Sequence, residues 1–185
     1  MSTGEAIGTV ETGRRDSVGG AEQNTRSIMR RLAAWALILA WGLTLPAHAD
    51  DALVRATNLQ ADAREAARRQ VPILILYSSA FCHFCERVKR EYLTPMHKDR
   101  AYRKRVIIRE VDMGSTRPLT GFDGKRTTEG AFAAASKVVM VPTVKVYDTR
   151  GNETGEPLVG LLTPDYYFGY LEAVIDAGLG KVRAR

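Results

Sequence analysis

Two thiols stand three positions apart in this 185-residue chain, Cys82 and Cys85, within the run Phe81-Cys82-His83-Phe84-Cys85. A pair at that spacing can exchange disulfides: a thiolate at the first position attacks a partner's disulfide, and the second thiol, one helical turn on, attacks the mixed disulfide that results. At a helix start, unpaired amide N–H groups and partial positive charge favour the thiolate of Cys82. Cys82 is therefore expected to be the exposed nucleophile and Cys85 the buried resolving thiol. His83 either stabilises that thiolate further or simply faces solvent. Phe81 and Phe84 are expected to shape an apolar docking rim.

Other chemistries for the pair fit less well. A structural zinc site normally takes four ligands, and beyond residue 49 only His83 and His97 accompany the two cysteines. Covalent haem attachment needs a histidine right after the second cysteine, where Glu86 stands. An inert disulfide would close so small a ring that it would constrain the unfolded chain little. No metal and no cofactor are expected.

The pair sits where a strand hands over to a helix. Residues 73–77, Ile-Leu-Ile-Leu-Tyr, form a continuous apolar run after Pro72, suited to a central strand covered on both faces. Beyond the thiols, Cys85, Val88, Tyr92 and Met96 recur at helical spacing, with Pro95 expected to kink or stop the helix. Ahead of the strand, Leu53, Ala56, Leu59, Ala63 and Ala66 predict an amphipathic helix. Residues 106–112 read as a second strand and 113–127 as a long loop, either functional or a packed excursion. A helix over about 128–137 is expected to turn Ala131, Phe132 and Ala135 inward. Strands follow at 144–147 and 157–162. The last helix opens at Thr163-Pro164-Asp165, with a hydroxyl cap, proline at the first position and an acid near the positive end. Tyr167, Tyr170, Leu171 and Val174 are its expected buried stripe, and Gly178 its C-terminal cap. This order predicts a mixed sheet with helices on both faces.

The composition, 45% hydrophobic and 26% charged, is that of a globular chain and excludes a membrane bundle or a disordered polymer. A net charge of +6 names no partner. Lys98, Arg100, Arg103, Lys104 and Arg105 read as a solvated helix face, and the glycine-containing stretch 114–125 has no phosphate-loop pattern. Nucleic acid is not an expected partner. At the N-terminus, Arg30-Arg31, the apolar run 32–45 and the small residues Ala47 and Ala49 make the three-part pattern of a secretory signal. That run would rise only about 21 Å as a helix, short of a hydrocarbon core of roughly 30 Å. The expected organisation is an extension at 1–28, which reads as disordered or a wrongly assigned start, a signal peptide at 29–49 cleaved after Ala49, and one domain at 50–185.

Taken together, the apolar strand at 73–77, the Cys82-His83-Phe84-Cys85 motif, Val141-Pro142-Thr143 before a strand, and Gly160 ahead of a last helix make the chain resemble the thioredoxin superfamily over about residues 53–178. The resemblance implies an α/β thioredoxin fold with a mixed four-stranded central sheet and helices on both faces. It implies that Pro142 is a cis-proline beside the disulfide, where Val141 backbone groups pair with a substrate strand. The chain looks most like exported thioredoxin-like proteins with an enlarged loop before the penultimate helix, a kind found among sulfur-oxidation accessory thioredoxins. It departs from the cytoplasmic pattern at Phe81, at His83-Phe84 and at Leu76, which stands where those proteins carry a buried aspartate. Glu86, Glu91 or water are the candidates to handle the proton of the resolving thiol instead.

The expected activity is exchange of disulfides with exported proteins bearing thiols or disulfides, as a periplasmic reductase, with an oxidase of the same fold as the close rival. A membrane electron donor is expected to supply it. With no separate dimerisation domain ahead of the fold, a monomer is expected. The alternatives are a non-catalytic binding or redox-switch module and a cytochrome- or copper-site assembly thioredoxin.

Overall fold

In the computed structural model, which describes residues 53–184, the six residues of β1 (Ile73–Ser78) are all buried. A strand of this kind, apolar on both faces, needs a layer on each side. β1 pairs in parallel with β2 (Ile107–Asp112) and antiparallel with β5 (Thr143–Tyr147), and β5 pairs antiparallel with β6 (Leu158–Val159). The result is a mixed four-stranded sheet in the order β2-β1-β5-β6.

Alternation along the strands sorts the helices. Arg109 on β2 reaches Asp62 of α1 (Leu59–Arg69), and Tyr77 on β1 stacks on Phe132 of α5 (Glu129–Ala135). The neighbouring position, Glu110, reaches Lys89 on the opposite face. There the chain runs through α2 (His83–Val88), a π-helical turn (Lys89–Leu93), α3 (Thr94–Lys98) and α4 (Arg100–Arg103). The long α6 (Pro164–Arg183) joins them, Tyr92 packing on Tyr167 at 5.0 Å between ring centroids and donating its hydroxyl to the Pro164 carbonyl.

Several elements differ from the sequence reading. The first helix begins at Leu59, not at residue 53, because the Asn58 side chain accepts from the Ala61 N–H and caps it there. Leu53 and Ala56 are buried all the same, on an extended segment hydrogen-bonded to both backbone groups of Glu110. The stretch 113–127 is a packed excursion: β3 (Pro118–Thr120) and β4 (Arg126–Thr128) form a hairpin that buries Leu119. Thr128 caps α5, whose buried positions are Glu129 and Ala133, with Phe132 half-buried and Ala131 and Ala135 exposed. Buried Glu129 meets Arg55, a pairing that hydrophobic periodicity does not register.

Pro95 does not stop the helical run. The π turn just before it shifts the carbonyls, the Thr94 N–H bonding back to Lys89, and the wider turn carries the proline into α3. The expected strand at 157–162 shrinks to two residues, since Gly160 turns away at φ +77°. Thr163 makes no side-chain cap bond, and α6 runs through Gly178 to Arg183. Gly178 serves packing instead: a Cβ there would meet Val146 at 2.8 Å and Pro72 at 3.0 Å, so only glycine lets the helix lie this close. The buried stripe of α6 is Tyr167, Leu171, Ile175 and Leu179; Tyr170 is exposed and Val174 half-buried. The expected extension and signal peptide lie outside the described residues.

Candidate active site

β1 ends at Ser78, and three residues carry the chain from there to Cys82. Phe81, the last of them, holds φ +63°, a left-handed conformation costly for a bulky side chain, and its ring stands fully in solvent. Cys82 is extended (φ −82°, ψ 99°) and is the N-cap of α2, its sulfur accepting the Cys85 N–H at 3.1 Å. A capping sulfur that accepts a backbone N–H at a helix start is held where a negative charge is favoured. Cys82 and Cys85 are joined as a disulfide, with Cα atoms 5.2 Å apart. The two sulfurs are unequal in access: Cys82 is half-buried, whereas Cys85 is 0% exposed.

His83 faces solvent, its ring edge-on to that of Phe84 at 6.0 Å, and Phe84 is itself exposed. The register of β1 with β5 sets Tyr77 opposite Thr143, so Pro142 comes to the end of the sheet from which the chain leaves for Cys82. The Val141–Pro142 bond is cis, Pro142 is buried, and its carbonyl accepts the Gly160 N–H at 2.7 Å. Sequence reasoning missed the large apolar residues displayed at this end. Val139 (90% exposed) and Met140 precede the proline, and Leu162 (88% exposed) follows Gly160. A single sequence cannot mark an apolar residue as exposed. Only the loop geometry does.

A second feature lay hidden too. Glu110, 4% exposed, faces α2 from β2; it accepts from the Ser78 hydroxyl at 2.6 Å and from the Lys89 ammonium at 3.1 Å. Lys89 also meets Glu86 at 2.6 Å. Burial pulls the Lys89 ammonium down, but the hydrogen bond to Glu86 and the charge of Glu110 outweigh it and hold the group above the ordinary lysine range. A cavity of about 530 Å³, lined among others by Glu86, Lys89 and Lys98, reaches Glu110 from the flank of the helix. Glu91 pairs with Arg87 and Arg90 at the surface, and hydrogen bonds from Arg87 hold its carboxyl below the usual range. Among the described residues, no group of three or more His, Cys, Asp or Glu side chains could hold a metal ion.

Three solved structures give partial matches to the chain. A thioredoxin-fold protein from Helicobacter pylori is 16% identical, with a TM-score of 0.48 over 62% of this chain and 73% of its own. Mitochondrial thioredoxin 3 of Saccharomyces cerevisiae, in its oxidised form, is 18% identical, with a TM-score of 0.45 over 67% of this chain and 94% of its own. The periplasmic thioredoxin SoxS of Paracoccus pantotrophus, in its reduced form, is 17% identical, with a TM-score of 0.40 over 57% of this chain and 97% of its own. No curated relative matches the sequence. A family profile described as a thioredoxin-like domain matches residues 59–175, so the chain belongs to the thioredoxin-like family and, with a Cys-x-x-Cys disulfide at its strand-to-helix junction, is a thiol–disulfide oxidoreductase.

Proposed function

We propose that this chain is an exported oxidoreductase that passes electrons to disulfides of partner proteins, with Cys82 attacking and Cys85 resolving. The observation that carries the division of roles is the unequal access of the pair, a half-buried capping sulfur beside one fully shielded from solvent. The Cys82 thiolate attacks a sulfur of the partner's disulfide. A Cys82–partner bond forms, the partner's bond breaks, and the departing sulfur leaves as a thiolate that takes up a proton. Cys85 then loses its proton and its thiolate attacks Cys82. The Cys82–Cys85 bond forms and the second partner sulfur is released, so that two electrons have moved to the partner. A dithiol donor at the membrane restores the reduced pair. Of the carboxylates near α2, Glu110 is the buried one, and it is assigned the proton from Cys85; Glu86 and Glu91 are engaged at the surface.

Phe81, Phe84 and the Val141 backbone form the substrate edge, with His83 at the solvent side of the nucleophile. Export rests on the sequence pattern at residues 29–49. Among the described residues no helix is long and apolar enough to cross a membrane. Insulin reduction tests the activity: wild type is expected to turn over and Cys82→Ser to be inert. Equal rates in the two proteins would refute it. The direction is tested by equilibration with glutathione, where a reductase is expected nearer about −270 mV than about −120 mV. The first residue of protein recovered outside the cytoplasm is expected to be Asp50.

A further inference from the structure

Across the sheet from α2, the buried polar groups converge under the loop that leads to Pro142. Lys145, on β5 and 8% exposed, donates its ammonium to the Ser136 carbonyl at 2.7 Å and to the Glu153 carboxylate at 2.8 Å. Ser136 is the C-cap of α5, where the helix leaves unpaired carbonyls and partial negative charge, so a cation is well matched there. Beside it the Tyr77 and Tyr147 hydroxyls lie 2.7 Å apart, and burial pushes the Tyr147 phenol up to about 12. One side chain thus joins the exit of α5 to the strand that begins directly after Pro142.

The five residues between these anchors have little freedom left. Lys137 takes a left-handed turn at φ +56°, its N–H bonded to the Ala134 carbonyl, and the Val138 N–H bonds to the Ala133 carbonyl while its side chain is buried. The Thr143 hydroxyl donates to the Met140 carbonyl at 2.8 Å. What remains free is the pair of side chains at 139 and 140. An exposed loop carrying Val and Met would normally pay ordering entropy on binding, and one fixed beforehand pays less.

We propose that Lys145 is a positioning residue for protein substrates: it holds residues 137–141 as a preformed apolar edge, Val139 and Met140, that selects extended polypeptide with apolar side chains beside the disulfide to be reduced. This rests on the oxidoreductase reading of Cys82 and extends it to the substrate class. Lys145 touches neither the thiols nor the substrate, so its effect is confined to partners long enough to reach the loop. A small aromatic disulfide meets Cys82 alone.

The test compares wild type, Lys145→Met and Lys145→Arg on two substrates, a cystine-containing unfolded protein with apolar flanks and a small aromatic disulfide. Removing the ammonium leaves Glu153, which is 40% exposed and can be solvated, so Lys145→Met is expected to fold. It is expected to raise KM for the protein substrate roughly fivefold with kcat changed by less than about twofold, and to leave the small disulfide's rate unchanged. Lys145→Arg is expected to recover most of the loss. The double surface variant Val139→Ser/Met140→Ser is expected to reproduce the KM effect with the anchor intact, and it decides the matter should Lys145→Met fail to fold. Equal loss on both substrates, or a protein KM unaltered in the double surface variant, would overturn the proposal. A wild type inert towards both substrates would instead sink the underlying redox assignment.

Discussion

The two faces of β1 are built by different rules. On one, Tyr77 stacks on Phe132, and Phe122 packs against both Phe132 and Tyr147. The helices there, α1 and α5, are capped by Asn58 and Thr128. On the other, the helical run passes through a π turn and opens beside a bulky residue in the left-handed region. A π turn and a left-handed aromatic each cost stability, so a face that gathers them is shaped by something other than folding. The orderly face makes the scaffold and the costly one makes the chemistry. Single substitutions on the two should therefore differ in what they damage.

The largest expected effect is on stability. Leu59, on α1, is fully buried, and Leu59→Ala should lower unfolding free energy by about 2–5 kcal/mol, read by denaturant titration, with little change in activity per folded molecule. Glu110→Gln should do the reverse. Its Lys89 partner keeps Glu86 and partial solvent access, so the fold should tolerate the change. Release of the mixed disulfide by Cys85 is expected to slow by about tenfold, as for removal of a group that moves a proton. An unchanged release rate in folded Glu110→Gln would remove Glu110 from the account. Phe81→Gly sharpens the contrast further: relief of the left-handed backbone should add about 0.5–1 kcal/mol, while affinity for protein substrates falls.

The smallest effect lies at His97, away from the thiols. Burial, then the charges of Arg109 and Arg103, hold its imidazole below the ordinary value. A base whose folded value is depressed resists a proton that the unfolded chain accepts. Stability should therefore fall as pH drops below about 6.5, and level off once the folded imidazole is also charged. His97→Gln should flatten that part of the stability–pH curve, measured by thermal unfolding across pH 5–7.5, and leave turnover alone.

How much of this could be read beforehand follows the same division. The strand at 73–77 and the thiol pair announce themselves by their own chemistry, an unbroken apolar run and a Cys-x-x-Cys, whereas the cis-proline at 142 follows only from the resemblance to the thioredoxin superfamily. Leu53 and Ala56 misled because three-residue spacing is compatible with burial on an extended edge, and the Asn58 cap that ends the ambiguity is a single weak mark. Gly178 read as a stop, since a sequence cannot show Pro72 and Val146 pressing on the helix from across the fold. Glu110 and Lys145 were invisible for a related reason. A charged residue in a strand reads as solvent-facing until its partner, 21 positions away for Lys89 and eight for Glu153, is brought to it.

The division of labour between the two sulfurs is tested most directly by mass spectrometry of serine variants incubated with a disulfide-bonded protein. Cys85→Ser should accumulate a covalent adduct through Cys82 that reductant releases, while Cys82→Ser should accumulate none. An adduct formed through Cys85 in Cys82→Ser, with none in Cys85→Ser, would contradict the assignment.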